Sequence, residues 1–264
     1  MSKHFRDWFA CGLLLAASVV LLSCKPVQRE LLFHKALSED SKEAEEAVHE
    51  LANYPSERTR QFLLQLAWEI PSKPSIPARN AAIEILAADK SNDNSPSLAF
   101  LLVETKPLEL RLTVATALEK YQCTQSCVDQ VYGRLRHLWV MDALRRMGPD
   151  AQPEEAPDLA MKTNLEKTLL IILGKRKRET ARHLEQTDNI FFYLATKHNQ
   201  PRRVDEFDIR LARELQAPEL CFLMERYQRR ALRGEQRKKV VLALKSAVTE
   251  LGCKVITEQD LLTK

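Results

Sequence analysis

The chain has 264 residues, of which 45% are hydrophobic and 29% charged, and its 40 basic and 36 acidic side chains leave a formal net charge of +4. This apolar fraction is ordinary for a globular protein and excludes general disorder, while the near balance of charge favours no particular class of partner. Only 6 glycines and 12 prolines, together with abundant leucine and alanine, indicate an all-α protein.

An apolar run covers residues 8–24, behind the basic Lys3 and Arg6. This arrangement is typical of a secretory signal peptide, which has a short basic flank, about 15 apolar residues and a small residue before the cleavage site. The run is shorter than a typical membrane-spanning helix. Its end, Leu21-Leu22-Ser23-Cys24, resembles a bacterial lipobox, although Leu22 differs from the small residue usual at that position. An uncleaved anchor helix and an ordinary signal cleaved nearby are the alternatives.

The lipobox resemblance implies that residues 1–23 are a signal peptide and that Cys24 receives the lipid and becomes the new N-terminus. The protein is then a lipoprotein of the bacterial cell envelope that faces the periplasm. Residues 24–40 form a short tether, which keeps the folded body close to the membrane. In a diderm bacterium, Lys25 after the lipidated cysteine resembles outer-membrane sorting.

From residue 41 onward, apolar side chains recur at the spacing of amphipathic helices. Ser56 is placed to cap one helix, and Pro77 is placed in the first turn of the next. The spacing predicts helices over residues 41–53, 57–70, 78–88, 98–104 and 108–121. Residues 124–147 are predicted to form one broken helix or two short ones.

Several of these helices begin with an arginine that small and large aliphatic residues follow in register, at Arg60, Arg79 and Arg111, and again at Arg237. They resemble the second helices of HEAT repeats, which implies an α-solenoid of stacked helical hairpins over residues 41–147. Arg111 follows Arg79 by 32 residues, as a two-helix repeat requires, but Arg79 follows Arg60 by only 19. A non-repetitive helical bundle is the alternative.

Residues 148–160 contain Pro149, Pro153 and Pro157 among acidic side chains, which predicts a linker between two sub-domains. Residues 161–264 are predicted to form a C-terminal helical domain. Its helices are expected over residues 164–173, 190–198, 205–216, 218–232 and 235–251, with a last turn through 262, and residues 175–186 are basic and then polar. Asp188 or Asn189 is predicted to cap the helix over 190–198.

Four cysteines remain beyond the signal peptide and the lipidated residue. Cys123 and Cys127 share one helix face, where their Cα atoms lie roughly 6 Å apart, inside the range of a disulfide. Cys221 and Cys253 lie at the two ends of a predicted helical hairpin, which brings them towards each other. Buried free thiols are the alternative for all four. No histidine pair with ligand spacing accompanies them, so no metal site is predicted.

No motif for catalysis is present: the sequence has no phosphate-binding glycine loop, nucleophile elbow or zinc-binding His-Glu-x-x-His helix. The six histidines are scattered along the chain. We therefore predict no catalytic residue, no cofactor besides the covalent lipid and no small-molecule substrate.

Two basic clusters stand out, Lys175-Arg176-Lys177-Arg178 and a second within residues 226–239 that contains Arg229, Arg230 and Arg233. In an exported protein they are candidates for contact with anionic lipid headgroups or an acidic partner. Nearby glutamates favour the alternative of solvated helix faces. If the chain is cytosolic instead, the clusters indicate nucleic acid, as in HEAT-like DNA glycosylases.

Together these features predict a non-catalytic, membrane-anchored helical-repeat adaptor that binds another envelope protein rather than nucleic acid. The alternatives are a cytosolic nucleic-acid-binding protein or enzyme, and a structural envelope protein without a discrete site. An apolar groove along one face of the helices would favour the adaptor over the purely structural role.

Overall fold

The computed structural model describes residues 25–68, 74–89, 93–104, 107–120, 123–147, 156–197, 205–232, 238–257 and 259–262. The predicted signal peptide and Cys24 lie outside the described residues. Regular structure in the described ranges consists of thirteen α-helices and one 3-10 turn, without a strand. The all-α prediction is confirmed for these residues. None of the described helices combines the length and the apolar composition needed to cross a bilayer.

The chain divides into two compact units, residues 1–97 and 98–264. The first unit contains α1 (Lys25–Lys35), α2 (Ser41–Leu51), α3 (Glu57–Ala67) and α4 (Ile76–Ala88), and α5 (Ser95–Glu104) spans the division. The second continues with α6 (Leu108–Lys120), α7 (Gln125–Met147), α8 (Ala156–Lys175), α9 (Lys177–Lys197), α10 (Glu206–Leu215), the 3-10 turn Pro218–Leu220, α11 (Cys221–Leu232), α12 (Lys238–Glu250) and α13 (Gln259–Leu262).

Side-chain caps begin the helices of the first unit. The Asp40 carboxylate accepts hydrogen bonds from the first backbone amides of α2, and the Ser56 hydroxyl accepts one from the amide of Thr59 in α3. Ser75 caps α4, whose first turn contains the expected Pro77. Helix α2 packs on α1 and α4, and α3 packs on α4. The buried side chains include Ala44, Val48, Leu51, Leu63, Leu66, Ala82, Ile83 and Leu86.

The repeated arginines have unlike partners. Arg79 is buried, and its guanidinium donates two hydrogen bonds, of 3.2 and 2.8 Å, to the carbonyl of Ala67 at the end of α3. Arg60 instead donates to Glu57 and to Asn94, whose amide donates to the Leu86 carbonyl near the end of α4. Among the described members Arg60, Arg79 and Arg111, Arg79 is the one that covers a turn between successive helices, and Arg237 lies outside the described residues. The described arginines therefore do not repeat one structural role.

In the second unit, helices that are two apart along the chain pack on each other: α6 on α8, α7 on α9, α8 on α10 and α10 on α12. Helix α7 also packs on α8, and α11 packs on α12. The core is built from aliphatic side chains and the aromatic side chains of Tyr132, Trp139 and Tyr227. The aliphatic members include Val114, Val128, Leu135, Leu165, Leu169, Leu173, Leu184, Leu211 and Leu223.

The division between the two units lies at Ser97, rather than in the proline-rich segment where the sequence predicts a linker. Residues 148–155 are outside the described ranges, but α8 already begins at Ala156, so part of the expected linker is helical. Helices α7 and α8, on either side of that segment, pack together. Burial of their apolar faces against each other joins the two regions in one unit.

The predicted helix cap at Asp188 is wrong, because Asp188 lies inside the continuous helix α9 rather than at the start of a helix. Its side chain is buried and accepts two hydrogen bonds from Arg230 of α11, at 2.7 and 3.0 Å. A buried carboxylate with a guanidinium partner does not need exposed backbone amides, so the helix continues through this position.

Candidate functional site

An open groove lies in the first unit, between the end of α2, the start of α3 and the end of α4. Its volume is about 480 Å³. Its lining is mostly apolar and consists of Leu51, Ala52, Pro55, Ser56, Glu57, Thr59, Arg60, Leu63, Ile85, Leu86, Ala88 and Asp89. Leu51, Leu63 and Leu86 are buried members of the core, whereas Ala52 and Ala88 are exposed. The groove is therefore an extension of the core that opens to solvent.

Local hydrogen bonds fix the shape of the groove at the start of α3. The buried Thr59 hydroxyl donates a 2.7 Å hydrogen bond to the Tyr54 carbonyl, and the Ser56 hydroxyl accepts from the Thr59 amide. These bonds hold the turn that Pro55 begins, so the lining does not depend on a flexible loop.

One charged pair lies at the rim of the groove. The Arg60 guanidinium donates to both carboxylate oxygens of Glu57, at 2.8 and 2.6 Å. The hydrogen bonds from Arg60 and then from Gln61 lower the pKa of Glu57 to about 2, so this carboxylate is ionised at neutral pH. The groove thus offers an apolar lining beside a neutralised ion pair, which suits aliphatic side chains of a partner rather than a charged small molecule.

A buried polar cluster occupies the second unit. The Asp208 carboxylate accepts a 2.5 Å hydrogen bond from the Tyr132 hydroxyl and a 2.7 Å hydrogen bond from the Tyr227 hydroxyl. Burial, and then the nearby charge of Asp205, raise the pKa of Asp208 to about 6, although both tyrosine bonds act in the opposite direction. Since all three side chains are buried, the cluster fixes α7, α10 and α11 together rather than meeting a ligand.

The first basic cluster lies at the junction of α8 and α9. Lys175 pairs with Glu119 at 3.0 Å, and Lys177 donates to the Gln216 carbonyl. Lys175 and Arg176 line a hollow of about 400 Å³ beside Cys123, and Arg178 is exposed. The cluster is therefore partly paired within the fold and partly open to solvent.

The second basic cluster is largely engaged inside the molecule. Arg230 is buried on Asp188, Arg226 contacts Asp188, Asn189 and Glu185, and Arg229 donates to the Asp260 carbonyl. Arg233 lies outside the described residues. Because the contacts of Arg229 and Arg230 are intramolecular, these two side chains are not available as a free cationic surface.

The structure joins the four described cysteines in two disulfides. Cys123 and Cys127 have Cα atoms 5.3 Å apart at the start of α7. Cys221, at the start of α11, and Cys253, after the end of α12, have Cα atoms 5.2 Å apart. No group of three or more metal-ligating side chains occurs among the described residues.

Sequence reasoning did not identify the groove. Its lining residues appear in the sequence as ordinary positions of three amphipathic helices. The opening forms only where these helices meet, and the small Ala52 and Ala88 leave it unfilled. An exposed alanine at the end of each of two helices is the one sequence signal, and it is too common to indicate a site by itself.

Comparison with known proteins gives no match to a family model, to a curated protein or to a solved structure.

Proposed function

We propose that the protein is a lipid-anchored, helical-repeat adaptor of the bacterial cell envelope, which binds a partner protein in the groove of its first unit. The groove carries the proposal, because it is an apolar recess of about 480 Å³ that opens to solvent. The lipobox-like Leu21-Leu22-Ser23-Cys24 supports the location, and the packing of alternate helices supports a stacked, solenoid-like arrangement.

The occupant we propose is an apolar segment of an envelope protein that presents two or three aliphatic side chains. Such side chains gain stability by leaving water for a lining formed by Leu51, Leu63 and Ile85. The Glu57–Arg60 pair at the rim satisfies its own charges, so the partner needs no matching charge there. Rigid, mostly apolar recesses of this size are typical docking sites for side chains at protein interfaces.

Site-specific photo-crosslinking in living cells tests the binding site. A photoreactive residue at Ala88, inside the groove, is expected to crosslink to one discrete partner band, which mass spectrometry then identifies. A second change, Ala52→Arg, places a long cationic side chain in the groove and is expected to abolish that band. Gln65→Arg adds the same charge to α3 at an exposed position outside the groove and is the matched control.

The identified partner then provides a quantitative test with purified proteins. Ala52→Arg is expected to weaken its affinity at least tenfold, while Gln65→Arg leaves the affinity unchanged. Equal crosslinking with and without Ala52→Arg would contradict the groove as the binding site. Circular dichroism of both variants checks that the exposed substitutions leave the helices intact.

The mass of the mature N-terminal peptide, extracted from native membranes, tests the location. A diacyl or triacyl mass on Cys24 is expected. A peptide that retains Met1, found in the soluble fraction, would contradict the anchor and favour the cytosolic alternative.

A further inference from the structure

The N-terminal helix α1 is joined by side-chain hydrogen bonds to the segment that leads into α3. The Tyr54 hydroxyl donates a 2.8 Å hydrogen bond to the Gln28 side-chain carbonyl. The Arg29 guanidinium donates a 3.1 Å hydrogen bond to the Ser56 hydroxyl. These bonds connect residues that are 26 and 27 positions apart in the sequence. The first turns of α1 are therefore held against a distant part of the first unit.

An ion pair and apolar packing continue this contact along α1. The Arg58 guanidinium lies 2.7 Å from a carboxylate oxygen of Glu30. Leu32 and Phe33 are buried, and the Phe33 ring stacks on the Phe62 ring of α3 with the centroids 4.2 Å apart. Helix α1 also packs on α2. Because its apolar side chains belong to the core, α1 and the rest of the first unit form one body.

The contacts of α1 lie beside the groove of the first unit. Ser56, which accepts the hydrogen bond from Arg29, is one of the lining residues, and so is Pro55 before it. The start of α1 and the groove are therefore neighbours on one face of this unit.

The distance from the groove to the proposed lipid attachment point follows from chain geometry. Cys24 lies outside the described residues, but one peptide bond joins it to Lys25, where α1 begins. Consecutive Cα atoms are about 3.8 Å apart, and a helix rises about 6 Å from Lys25 to Arg29. With the Arg29 side chain and its hydrogen bond added, the groove wall at Ser56 lies within roughly 20 Å of the Cys24 Cα atom.

A lipid on Cys24 would hold this atom at the membrane surface. The headgroup region extends only about 5–8 Å beyond the hydrocarbon on each side of a bilayer, so the groove would open within roughly 25 Å of the headgroups. An extended chain covers that distance in about eight residues. A segment that leaves a membrane anchor directly is therefore long enough to reach the groove.

The size of the groove also favours a partner that is anchored in the membrane. Burial of two or three aliphatic side chains contributes about 3–9 kcal/mol, whereas the loss of free translation and rotation costs about 4–15 kcal/mol. A water-soluble partner would therefore bind a recess of about 480 Å³ weakly. A partner held in the same membrane has already lost part of that freedom, and its effective concentration at the groove is higher.

We infer that the occupant of the groove is an apolar segment that directly adjoins the membrane anchor of another envelope protein. This inference rests on the proposed function, and it adds the class of partner that the groove binds. The docked helix α1 sets the distance between the groove and the membrane, and the anchor of the partner supplies the segment at that distance.

Two insertions in the full, lipidated chain test the role of this distance. A flexible Gly-Ser insertion of about 24 residues between Lys25 and Pro26 separates the anchor from α1 by about 27 Å on average. The yield of the Ala88 photo-crosslink in living cells is expected to fall several-fold. The same insertion between the exposed Glu39 and Asp40 is the matched control. It should keep the wild-type yield, because α1 stays docked and holds the anchor beside the groove.

Two results of this experiment would overturn the inference. Equal yields in wild type and both insertion variants would show that the distance from the membrane has no influence on binding. An equal decrease in both variants would show that docking of α1 does not set the distance. Yields are compared at equal amounts of protein.

A cleavable anchor then identifies the class of partner. A short site for a sequence-specific protease between Lys25 and Pro26 allows the body to be cut from its lipid after crosslinking, in membranes washed with alkaline carbonate. The body without a crosslink is released. The crosslinked adduct is expected to stay in the membrane, and peptide mapping should place the crosslink within about ten residues of the membrane span or lipidated cysteine of the partner.

A released adduct, or a crosslink far from any membrane anchor, would overturn the inference. Loss of that crosslink in Ala52→Arg would still support the groove as the binding site, so this failure is distinct from failure of the proposed function. A mature N-terminal peptide without lipid on Cys24 would contradict the proposed location and this inference together.

Discussion

Substitution of Asp208 by asparagine should remove a pH dependence of stability that this buried carboxyl introduces. The pKa of Asp208 is raised to about 6 in the folded protein, from an ordinary value of 3.8 in the unfolded chain, chiefly by burial. A raised carboxyl pKa means that the folded state holds its proton more tightly than the unfolded state. The resulting stability is fully present below the unfolded pKa and is lost as the pH rises through about 6.

The magnitude follows from the two pKa values. Between pH 7.5 and pH 5.0, proton linkage with pKa values of about 6 and 3.8 gives a gain on the order of 1–2 kcal/mol in the free energy of unfolding from Asp208 alone. Other groups also titrate over this range, so the difference between wild type and Asp208→Asn isolates the contribution. Tyr132 and Tyr227 keep a polar partner in the variant, because an amide both donates and accepts hydrogen bonds.

The assay is urea unfolding of both proteins at pH 5.0 and 7.5, followed by circular dichroism. On acidification, the free energy of unfolding of wild type is expected to rise by about 1–2 kcal/mol more than that of Asp208→Asn. Asp260→Asn is the control, because hydrogen bonds from Thr257 and Lys254 lower the pKa of Asp260 and keep it ionised over this range. Equal gains in wild type and Asp208→Asn would refute the assignment of a raised pKa to this buried carboxyl.

Three further predictions concern stability. Replacing both Cys221 and Cys253 by serine should lower the free energy of unfolding by about 3–4 kcal/mol, because their disulfide joins residues 32 apart in the sequence. Non-reducing peptide mapping should show the two cysteines linked. Alkylation of both as free thiols would contradict the disulfide. Gly252 has a φ of +66° after the end of α12, so Gly252→Ala should lower the free energy of unfolding by about 1 kcal/mol. Gly133→Ala, where a Cβ meets no other atom, should raise it by roughly 0.5–1 kcal/mol. Urea unfolding measures both changes, and two effects of the same sign would contradict these assignments. Arg230→Met breaks the buried ion pair with Asp188 and should lower the free energy of unfolding by roughly 3–5 kcal/mol in the same assay. A decrease of less than about 1 kcal/mol would show that the pair is not buried in solution.

Helices and their starts were the most predictable part of this fold, because they depend on local signals. Ser56 caps α3 and Pro77 occupies the first turn of α4, as their spacing from the apolar stripes indicates. Helix lengths were less predictable. The stretch predicted as one broken helix or two short ones is the single helix Gln125–Met147, since α7 buries side chains such as Val128, Leu135 and Trp139 along its length.

The division into units could not be read from local signals. Prolines and acidic residues at 148–160 are typical of a linker, yet the helices on both sides of that segment pack on each other. Packing between α7 and α8 depends on which apolar faces meet, and the local composition of the connecting segment does not record it. The division at Ser97 falls at the end of a polar segment, residues 89–97, whose composition is that of an ordinary loop.

Charge was the least predictable feature, because cations that are neighbours in the sequence have different partners in the fold. The runs at 175–178 and 226–239 attract attention because their cations are adjacent in sequence, but adjacency says nothing about partners. Asp188, Glu119 and other distant acceptors engage several of these side chains within the fold.

Arg134 and Arg136 illustrate the same point at closer range. They are two residues apart on α7, yet Arg136 pairs with Asp205 at 2.5 Å, whereas Arg134 is buried and pairs with no carboxylate in the part of the chain that the structure describes. Residues two apart on a helix do not face the same neighbour, so Arg136 reaches the carboxylate that caps α10, whereas Arg134 is turned into the interior. The partners of neighbouring cations are thus set by the elements that pack around their helix, and the local sequence does not record which elements those are.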